Sequence, residues 1–387
     1  MYNKNLVFIG ACAGMLLFGV TLITLGSVAT ELQAKFALDA IAGGTLFSIL
    51  PIGILAGSFI FGPVIDRFGY KLLLIAALIG MFAGFQGIAF SAALGMLKLS
   101  VLVFGIGAGI INGATNALVA DISDESRGAN LSLLGVFFGL GALGMPLVLG
   151  AFSGRYDSFQ VLSAVGWLTL AVAAYFAAIA LPPAKLREGA SSMHWRELFS
   201  PLLVLIAFFL FWQSALEAII NNWTTTYVTT RGIMSESNAL YALSLHIVGM
   251  VAMRLLTGSV LRHVAQVKIM WACLVMLFAG VFLMQAASSM PVATAGLILS
   301  GAGLAGGFPI MLGFVGERYS ELSGTAFSFV FVVALVGNMI VNYLMGLIVH
   351  HYGIAQLAPV SYIGAAVMSA LFFFIAKRLQ VFHESEN

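Results

Sequence analysis

Residues 62–71 read GPVIDRFGYK, a short run with three charged side chains. The blocks on either side of it, 41–63 and 72–94, each exceed twenty residues and contain no Asp, Glu, Lys or Arg. At ~1.5 Å rise per residue, a helix of that length crosses the ~30 Å hydrocarbon core of a bilayer. The sequence therefore predicts a charged turn between two membrane-spanning helices.

The composition of the whole chain likewise indicates that lipid surrounds most of the protein. Of its 387 residues 61% are hydrophobic and 8% charged, whereas soluble domains have about 45–50% apolar and about 25% charged residues. The net charge is +2 and no cluster of basic residues offers a surface for nucleic acid, so we expect no nucleic-acid partner. Cys12 and Cys273 lie singly in apolar segments, and we predict neither a metal site nor a cofactor.

Interruptions by charges and turn residues divide the chain into twelve predicted spans in an all-α integral membrane fold. The longest hydrophilic stretch lies between the sixth and seventh spans, which predicts an N-terminal six-helix bundle (1–181), a cytoplasmic linker (182–198) and a C-terminal six-helix bundle (199–387). The predicted spans are 5–29, 41–63, 72–94, 99–121, 129–152, 160–181, 199–229, 239–261, 268–288, 292–314, 323–349 and 357–378.

Basic residues in the loops predict the orientation, because Lys and Arg are retained on the cytoplasmic side. With the N-terminus inside, twelve basic residues lie on the cytoplasmic face. The opposite face has four, namely Lys35, Lys98, Arg155 and Arg231. We therefore expect both termini in the cytoplasm and a location in the plasma membrane, the inner membrane of a bacterium.

An internal repeat supports the division into halves. A shift of 196 residues superimposes eight pairs without a gap: Gly62 and Gly258, Gly84 and Gly280, Gly105 and Gly301, Gly107 and Gly303, Asp121 and Glu317, Gly128 and Gly324, Gly141 and Gly337, Gly150 and Gly346. Parallel repeats of this kind occur in transporters whose substrate site lies near mid-membrane.

The run 62–71 resembles the G-x-x-x-D-R-x-G-x-K signature of the major facilitator superfamily. It supplies Gly62, Asp66, Arg67, Gly69 and Lys71 at the signature positions. The resemblance covers essentially the whole chain and implies an alternating-access carrier. It also implies that Asp66 and Arg67 help to latch the cytoplasmic helix ends in the outward-facing state. The equivalent segment of the second half has no acid, so we expect an asymmetric latch.

Other charged residues at the cytoplasmic helix ends extend this predicted cytoplasmic gate: Asp121, Arg127, Glu317 and Arg318. They could exchange ion-pair partners when one bundle tilts. Each exposed pair contributes only about 0–1 kcal/mol, so several must act together. The alternative is that these are ordinary loop charges that set the topology.

A finer resemblance is to the sugar–cation symporter branch, which includes fucose–proton and sodium–glucose carriers. It rests on 112–150, on the region of Glu217, and on 306–309 followed by Glu317. Fucose-type carriers have a proton-handling acid in the first helix and another in the fourth. Here the first helix has no acid before Glu31, and the fourth offers Asn112 instead, so this chain departs from the fucose-type pattern of proton coupling.

Two ionisable residues, Glu217 and Arg254, lie inside predicted spans away from the ends. Such residues are costly in lipid and usually face a wet cavity. Gln213, Glu217 and Asn221 recur every four residues and share a helix face with Trp223 beside it. Amides, a carboxylate and an indole form a plausible sugar-binding surface, although a structural ion pair or an interfacial Trp would also explain these residues.

Further polar residues complete the predicted site. His246 lies at the height of Glu217 in the next span and could share a proton with it, with Arg254 lower down as a third ion-coupling residue. Asn338 and Asn342, and Asn112 in the fourth span, could bind substrate hydroxyls. Packing between helices is the alternative for the histidine and for each amide.

These features predict a secondary transporter of a small polar solute, which we expect to be a sugar, coupled to a proton or sodium gradient. The runner-up is a proton-driven exporter of amphipathic compounds. No catalytic motif indicates an enzyme, and a channel would more naturally have a repeated selectivity loop or a charged ring.

Overall fold

The computed structural model describes residues 2–37, 40–123, 127–152, 155–184 and 200–385, and in those ranges the chain is helical with no strand. The helices are α1 Lys4–Ser27, α2 Ala29–Phe36, α3 Ala40–Phe68, α4 Tyr70–Phe90, α5 Leu94–Ile122, α6 Arg127–Phe152, α7 Ser158–Ala178, α8 Pro201–Thr230, α9 Glu236–Gly258, α10 Gln266–Ala286, α11 Met290–Leu304, α12 Gly307–Arg318, α13 Ser323–Tyr352 and α14 Leu357–Ser385.

Eleven stretches of helix are long and apolar enough to cross a membrane, and the shorter apolar helix Ala242–Gly258 brings the described chain to twelve. One of the eleven, Met290–Arg318, combines α11 and α12. The twelve-helix prediction is confirmed. Most of the predicted linker 182–198 lies outside the described residues.

The chain divides into two compact units. The first comprises Met1–Glu125, Phe137–Ser192 and Tyr319–Ser328, and the second comprises Ser126–Val136, Met193–Arg318 and Phe329–Asn387. The helices α6 and α13 each contribute to both units. The first unit thus contains the start of α13, and the second contains the start of α6.

Close helix contacts at glycine hold each unit together, as expected where lipid offers no hydrophobic drive between helices. In the first unit a Cβ on Gly57 of α3 would lie 2.3 Å from the carbonyl oxygen of Ile106 in α5. In the second, a Cβ on Gly301 of α11 would lie 2.0 Å from the carbonyl oxygen of His246 in α9. Only a residue without a side chain permits these approaches.

The internal repeat appears in the packing. Gly84 of α4 lies against Phe104 of α5, and Gly280 of α10 lies against Ser300 of α11, so both partners shift by the same 196 residues. The same holds for Gly107 with Met81 and Gly303 with Leu277, and for Gly105 with Leu50 and Gly301 with His246. The two halves therefore reuse one set of helix contacts.

The charged run 62–71 is more helical than expected. We predicted a loop after a span that ends at residue 63, but α3 continues to Phe68 and α4 begins at Tyr70. The turn is the single residue Gly69, whose φ of +79° favours glycine. Asp66 therefore lies on the last turn of α3 and is buried.

The tenth span, predicted as the continuous helix 292–314, is broken. The helix α11 ends at Leu304 and α12 begins at Gly307. The four-residue hydrogen-bond pattern changes there, with the N–H of Ala305 bonded to the carbonyl of Ala302 at 3.2 Å. A break of this kind frees carbonyl groups for side chains of neighbouring helices.

Candidate functional site

The helix α8 presents most of the predicted site. It begins with Ser200 as N-cap, whose hydroxyl accepts a hydrogen bond from the N–H of Leu203 at 3.3 Å, and with Pro201 in the first turn. Its sequence is apolar until Gln213 and becomes polar at intervals of three or four residues beyond it. The part of the predicted site on α8 lies in the second unit.

Glu217 is a half-buried carboxylate in the middle of α8, and its charge interacts with that of Arg254 in α9. The Arg254 side chain is buried. It donates to the carbonyl of Ala305 in the break of the tenth span at 3.4 Å and to the carbonyl of Gly135 at 3.3 Å. The two ionisable residues predicted inside the membrane thus lie close enough to influence each other.

Gln213 is fully buried and turned toward the broken span. Its amide donates to the carbonyl of Leu304 at 2.7 Å, and its Oε1 lies beside Gly307 without a hydrogen-bond partner. The break supplies the acceptor, because Leu304 is the last residue of α11. In this structure the side chain links α8 to the tenth span, and its predicted contact with substrate stays a prediction.

Two polar contacts join α8 to α13. The indole Nε1 of Trp223 donates to Oδ1 of Asn342 at 3.1 Å. The amide of Asn338 donates to the carbonyl of Ser214 at 3.3 Å, with the Ser214 hydroxyl at 3.4 Å. Six of the seven predicted substrate-binding residues therefore lie on two adjoining helices: Gln213, Glu217, Asn221, Trp223, Asn338 and Asn342.

The predicted proton sharing between His246 and Glu217 does not occur as a hydrogen bond. His246 is fully buried, and its Nδ1 lies 3.0 Å from the carbonyl of Leu297 and 3.2 Å from the hydroxyl of Ser300, both in α11. Its Nε2 has no hydrogen-bond partner. The ring packs against α11, and its role in coupling stays a prediction.

Asn112, the predicted contribution of the first unit, is half-buried in α5. The amide of Asn116, one turn later, donates to its backbone carbonyl at 2.8 Å and to its side-chain oxygen at 3.3 Å. Asn116 thus bonds within its own helix, and the predicted role of Asn112 in binding substrate is untested.

The predicted gate residue Asp66 binds the start of α13. Its carboxylate accepts hydrogen bonds from the N–H groups of Gly324 at 3.1 Å and Thr325 at 2.8 Å, and from the Thr325 hydroxyl at 2.6 Å. A carboxylate at a helix N-terminus satisfies orphan donors and complements the helix dipole. Gly62, one turn earlier, allows the approach, since a Cβ there would lie 2.5 Å from the Gly324 carbonyl oxygen.

Asp121 accepts from the hydroxyls of Tyr70 and of Ser323, the latter at 2.8 Å. The sequence predicted Asp121 as a gate residue but not its hydroxyl partners, because they lie 51 and 202 residues away from it in the chain. The remaining predicted gate residues lie at helix ends: Arg67, Glu317 and Arg318 are exposed, Arg127 is half-buried, and Lys71 donates to the carbonyl of Ile179.

Comparison with known proteins gives the family. Residues 7–289 match the sequence profile of the Major Facilitator Superfamily. A D-xylose transporter of Levilactobacillus brevis is 29% identical over 154 residues, which is 40% of this chain and 34% of that protein. The class B tetracycline resistance protein of Escherichia coli is 36% identical over 99 residues, 24% of this chain and 23% of that protein. The matched part of the chain thus spans about a third of the length of the D-xylose transporter and about a quarter of that of the tetracycline resistance protein.

Other similarities extend over the full length. The sodium-dependent glucose transporter 1A of Mus musculus is 21% identical, with 95% of each protein covered. The structure of FucP, the E. coli fucose:proton symporter, has a TM-score of 0.83 at 18% identity and covers 95% of this chain and 98% of that one. At that identity the likeness shows the fold alone. The profile match, the twelve apolar helices of the described residues and this fold together show that the chain belongs to the major facilitator superfamily and is an integral membrane protein.

Proposed function

We propose that this protein is an alternating-access symporter for a sugar, driven by a proton or sodium gradient. We further propose that it lies in the plasma membrane, the inner membrane of a bacterium, with both termini in the cytoplasm. The orientation rests on the twelve-to-four excess of basic residues on one face.

One observation carries the proposal: the half-buried carboxylate of Glu217 shares two adjoining helices with an indole and two amides. Carboxylate and amide groups pair with sugar hydroxyls, and the Trp223 ring can cover an apolar sugar face. Asn342 fixes the direction of that ring through its 3.1 Å hydrogen bond. The names of the D-xylose, glucose and fucose carriers among the similar proteins support the same class of solute.

Glu217 is the proposed coupling residue. Binding of a proton or a sodium ion neutralises a carboxylate, which changes its interaction with the buried guanidinium of Arg254. Because Arg254 also holds the carbonyls of Ala305 and Gly135, a change at Glu217 can reach the broken span and α6. Differential interactions of this kind are what allow a ligand to shift a conformational equilibrium.

The gate part of the proposal rests on Asp66 and Asp121. Both carboxylates bind the first turn of α13, Asp121 through Ser323 and Asp66 through Gly324 and Thr325. These contacts can form and break as one cooperative group, which a transporter that alternates between two states requires.

The test is transport by purified protein in liposomes. With labelled D-xylose, D-glucose or L-fucose, an inward proton or sodium gradient should drive uphill uptake. Glu217→Gln should abolish gradient-driven uptake while exchange of sugar across the membrane persists. The matched control is Glu31→Gln, which neutralises an acid of α2 that accepts from the Ser158 hydroxyl. Unchanged driven uptake in Glu217→Gln would refute the coupling role, and the absence of any sugar flux would refute the solute class.

The second candidate is a proton-driven exporter of amphipathic compounds. The similarity of 99 residues to the tetracycline resistance protein favours it. The amide and carboxylate content of α8 and α13 favours a sugar, since an exporter of apolar compounds needs fewer hydrogen-bonding groups in its site. Inverted membrane vesicles that accumulate tetracycline or ethidium when their lumen is acidified, without any sugar uptake, would establish the exporter instead.

A further inference from the structure

The first two turns of α6 lie against the end of α9 and the start of α10. At the beginning of α6, a Cβ on Gly128 would lie 2.5 Å from Oε1 of Gln266, the first residue of α10. Two residues later, Oδ1 of Asn130 accepts a hydrogen bond from the guanidinium of Arg262 at 3.4 Å. The segment that joins α9 to α10 therefore touches the start of α6 through polar side chains.

The contacts continue from the exposed Arg262 to the buried Arg254. A Cβ on Gly258, the last residue of α9, would lie 2.5 Å from Cγ of Leu133. One turn earlier in α9, Arg254 donates to the carbonyl of Gly135 at 3.3 Å. The positions rise along α6 as they fall along α10 and α9, so the segments run antiparallel. We call this series the α6 ladder, which joins Gly128 to Gln266, Asn130 to Arg262, Leu133 to Gly258 and Gly135 to Arg254.

A related series of contacts holds the start of α13. Gly62 of α3 lies against Gly324, and the hydroxyl of Ser328 donates to the carbonyl of Ser58, one turn before Gly62. The internal repeat relates the two series. Its shift of 196 residues aligns Gly62 with Gly258, Ser58 with Arg254, Asp66 with Arg262 and Gly324 with Gly128. The α6 ladder thus has, in the second half, the position that the proposed gate of Asp66 has in the first.

The chemistry of the two series differs. Asp66 is a buried carboxylate that accepts from the start of α13, whereas Arg262, which the repeat aligns with it, is exposed and donates to Asn130 over 3.4 Å. Water competes for hydrogen bonds at an exposed site, so Arg262 contributes less than Asp66 does. The buried bond from Arg254 to Gly135 is therefore the strongest polar contact of the α6 ladder.

The buried end of the α6 ladder also meets the proposed coupling residue. The charge of Arg254 interacts with that of Glu217 in α8. A buried cation is costly without a nearby anion, so neutralisation of Glu217 by a proton or a sodium ion destabilises the buried position of Arg254 and weakens its bond to Gly135. The repeat aligns Arg254 with the uncharged Ser58, so this connection distinguishes the α6 ladder from the contacts that hold α13.

We propose that the α6 ladder is a second gate on the proposed cytoplasmic side, and that Arg254 is the positioning residue that loosens it when Glu217 is neutralised. The inference deepens the proposed function and rests on it for the coupling role of Glu217. Helix α6 continues beyond Val136 into the first unit, so release of its first two turns frees one end of a helix that both units share. Ion binding at Glu217 then favours opening toward the cytoplasm, where a symporter releases its solute.

Labelling of a single cysteine measures how often the α6 ladder opens. Ser132 lies in the same two turns of α6 and is fully buried, and the repeat aligns it with Ser328. Its hydroxyl has no hydrogen-bond partner, so Ser132→Cys should fold normally. In purified full-length protein with Cys12→Ala and Cys273→Ala, a water-soluble maleimide should label this cysteine slowly in the absence of sugar. Glu217→Gln should accelerate the labelling about tenfold or more.

Two controls distinguish opening of the α6 ladder from general loosening of the protein. Thr169→Cys, at another fully buried position in α7, should be labelled equally slowly with and without Glu217→Gln. Arg254→Met keeps an apolar stem but removes the connection between Glu217 and α6. In that variant Glu217→Gln should no longer change the labelling of Ser132→Cys, which a merely structural role of Arg254 does not predict.

A substitution that tightens the α6 ladder should have the opposite effect. Asn130→Asp places a carboxylate beside Arg262 and in the first turn of α6, where the helix dipole favours a negative charge. It should slow both the labelling and the maximal rate of uptake about threefold or more without lowering the melting temperature. Arg262→Gln in the same chain should reverse the effect. The matched control, Asn3→Asp, makes the same change at the N-cap of α1 and should leave both rates unaltered.

Equal labelling of Ser132→Cys with and without Glu217→Gln, or no effect of Asn130→Asp on that labelling, would overturn the second gate. The labelling requires no sugar, so this failure can be told apart from a failure of the proposed function. Sugar uptake with unchanged labelling would leave the proposed function standing. The expected changes in labelling without any sugar uptake would refute the solute class and leave the gate standing.

Discussion

Replacement of Asp66 by Asn tests whether this carboxylate holds the start of α13. One carboxylate oxygen accepts from the N–H of Gly324, and the other accepts from both the N–H and the hydroxyl of Thr325. The side chain is only 2% exposed, so water cannot replace a lost partner. Asn has nearly the same shape but one acceptor oxygen, no charge, and an NH₂ group that donates.

The expected cost follows from these three bonds. With its oxygen toward Thr325, Asn keeps two bonds, but each changes from about 1.5–3 kcal/mol for a charged acceptor to about 0.5–1.5 kcal/mol for a neutral one. Its NH₂ then faces the N–H of Gly324, which is left unpaired at a cost of about 1–3 kcal/mol. The loss of charge at a helix N-terminus acts in the same direction. These contributions sum to at least about 3 kcal/mol, and 3 kcal/mol is enough to change a conformational equilibrium about a hundredfold.

Thermal unfolding in detergent and transport kinetics measure this effect. We expect Asp66→Asn to lower the melting temperature by several degrees and to reduce the maximal rate of uptake, since the state that contains these bonds becomes less populated. Glu317→Gln is the control, because it neutralises an exposed acid at the end of α12 and should change stability by less than about 0.5 kcal/mol. Equal effects of the two substitutions would show that the bonds to α13 contribute nothing beyond surface charge.

Two further substitutions test the site and the packing. Asn342→Leu releases the indole of Trp223 and should raise the KM for sugar about tenfold with little change in maximal rate. As the control, Asn116→Leu should leave the KM unchanged. An unaltered KM and unaltered tryptophan emission in Asn342→Leu would contradict the positioning role. Gly301→Ala places a methyl group 2.0 Å from a carbonyl oxygen of α9 and should destabilise the protein by about 1–3 kcal/mol. As the control, the methyl group of Gly144→Ala meets nothing within 4 Å, so this substitution should be neutral or stabilising. Differential scanning fluorimetry measures both variants, and equal melting temperatures would contradict the close contact.

The helices were predictable because the cost of exposing backbone polar groups to lipid leaves few alternatives to a helix. The break in the tenth span was not predicted, although Gly306, Gly307 and Pro309 signalled it, because hydropathy averages over such a short interruption. The helical extent of the run 62–71 was missed for the opposite reason. Its charges indicated a loop, whereas Asp66 is buried in the last turn of α3 by its bonds to α13.

The site was predictable along one helix and not between helices. Four-residue spacing placed Gln213, Glu217 and Asn221 on one face, since the period of the helix is fixed. The partner of each residue depends on which helices adjoin, and sequence spacing carries no such information. Gln213 thus bonds to Leu304, 91 residues away, and His246 faces α11 instead of Glu217.

The internal repeat separates what the fold needs from what the site adds. The shift of 196 residues that matches glycine contacts in the two halves aligns Glu217 with Thr21, Asn221 with Leu25 and Arg254 with Ser58. The first half builds the equivalent helices without an ionised group or an amide at those positions. The scaffold therefore does not require the carboxylate, the amide or the guanidinium of the second half. Because each of them is costly inside a membrane, their presence in one half alone points to the work of binding and coupling, and concentrates that work on α8 and α9.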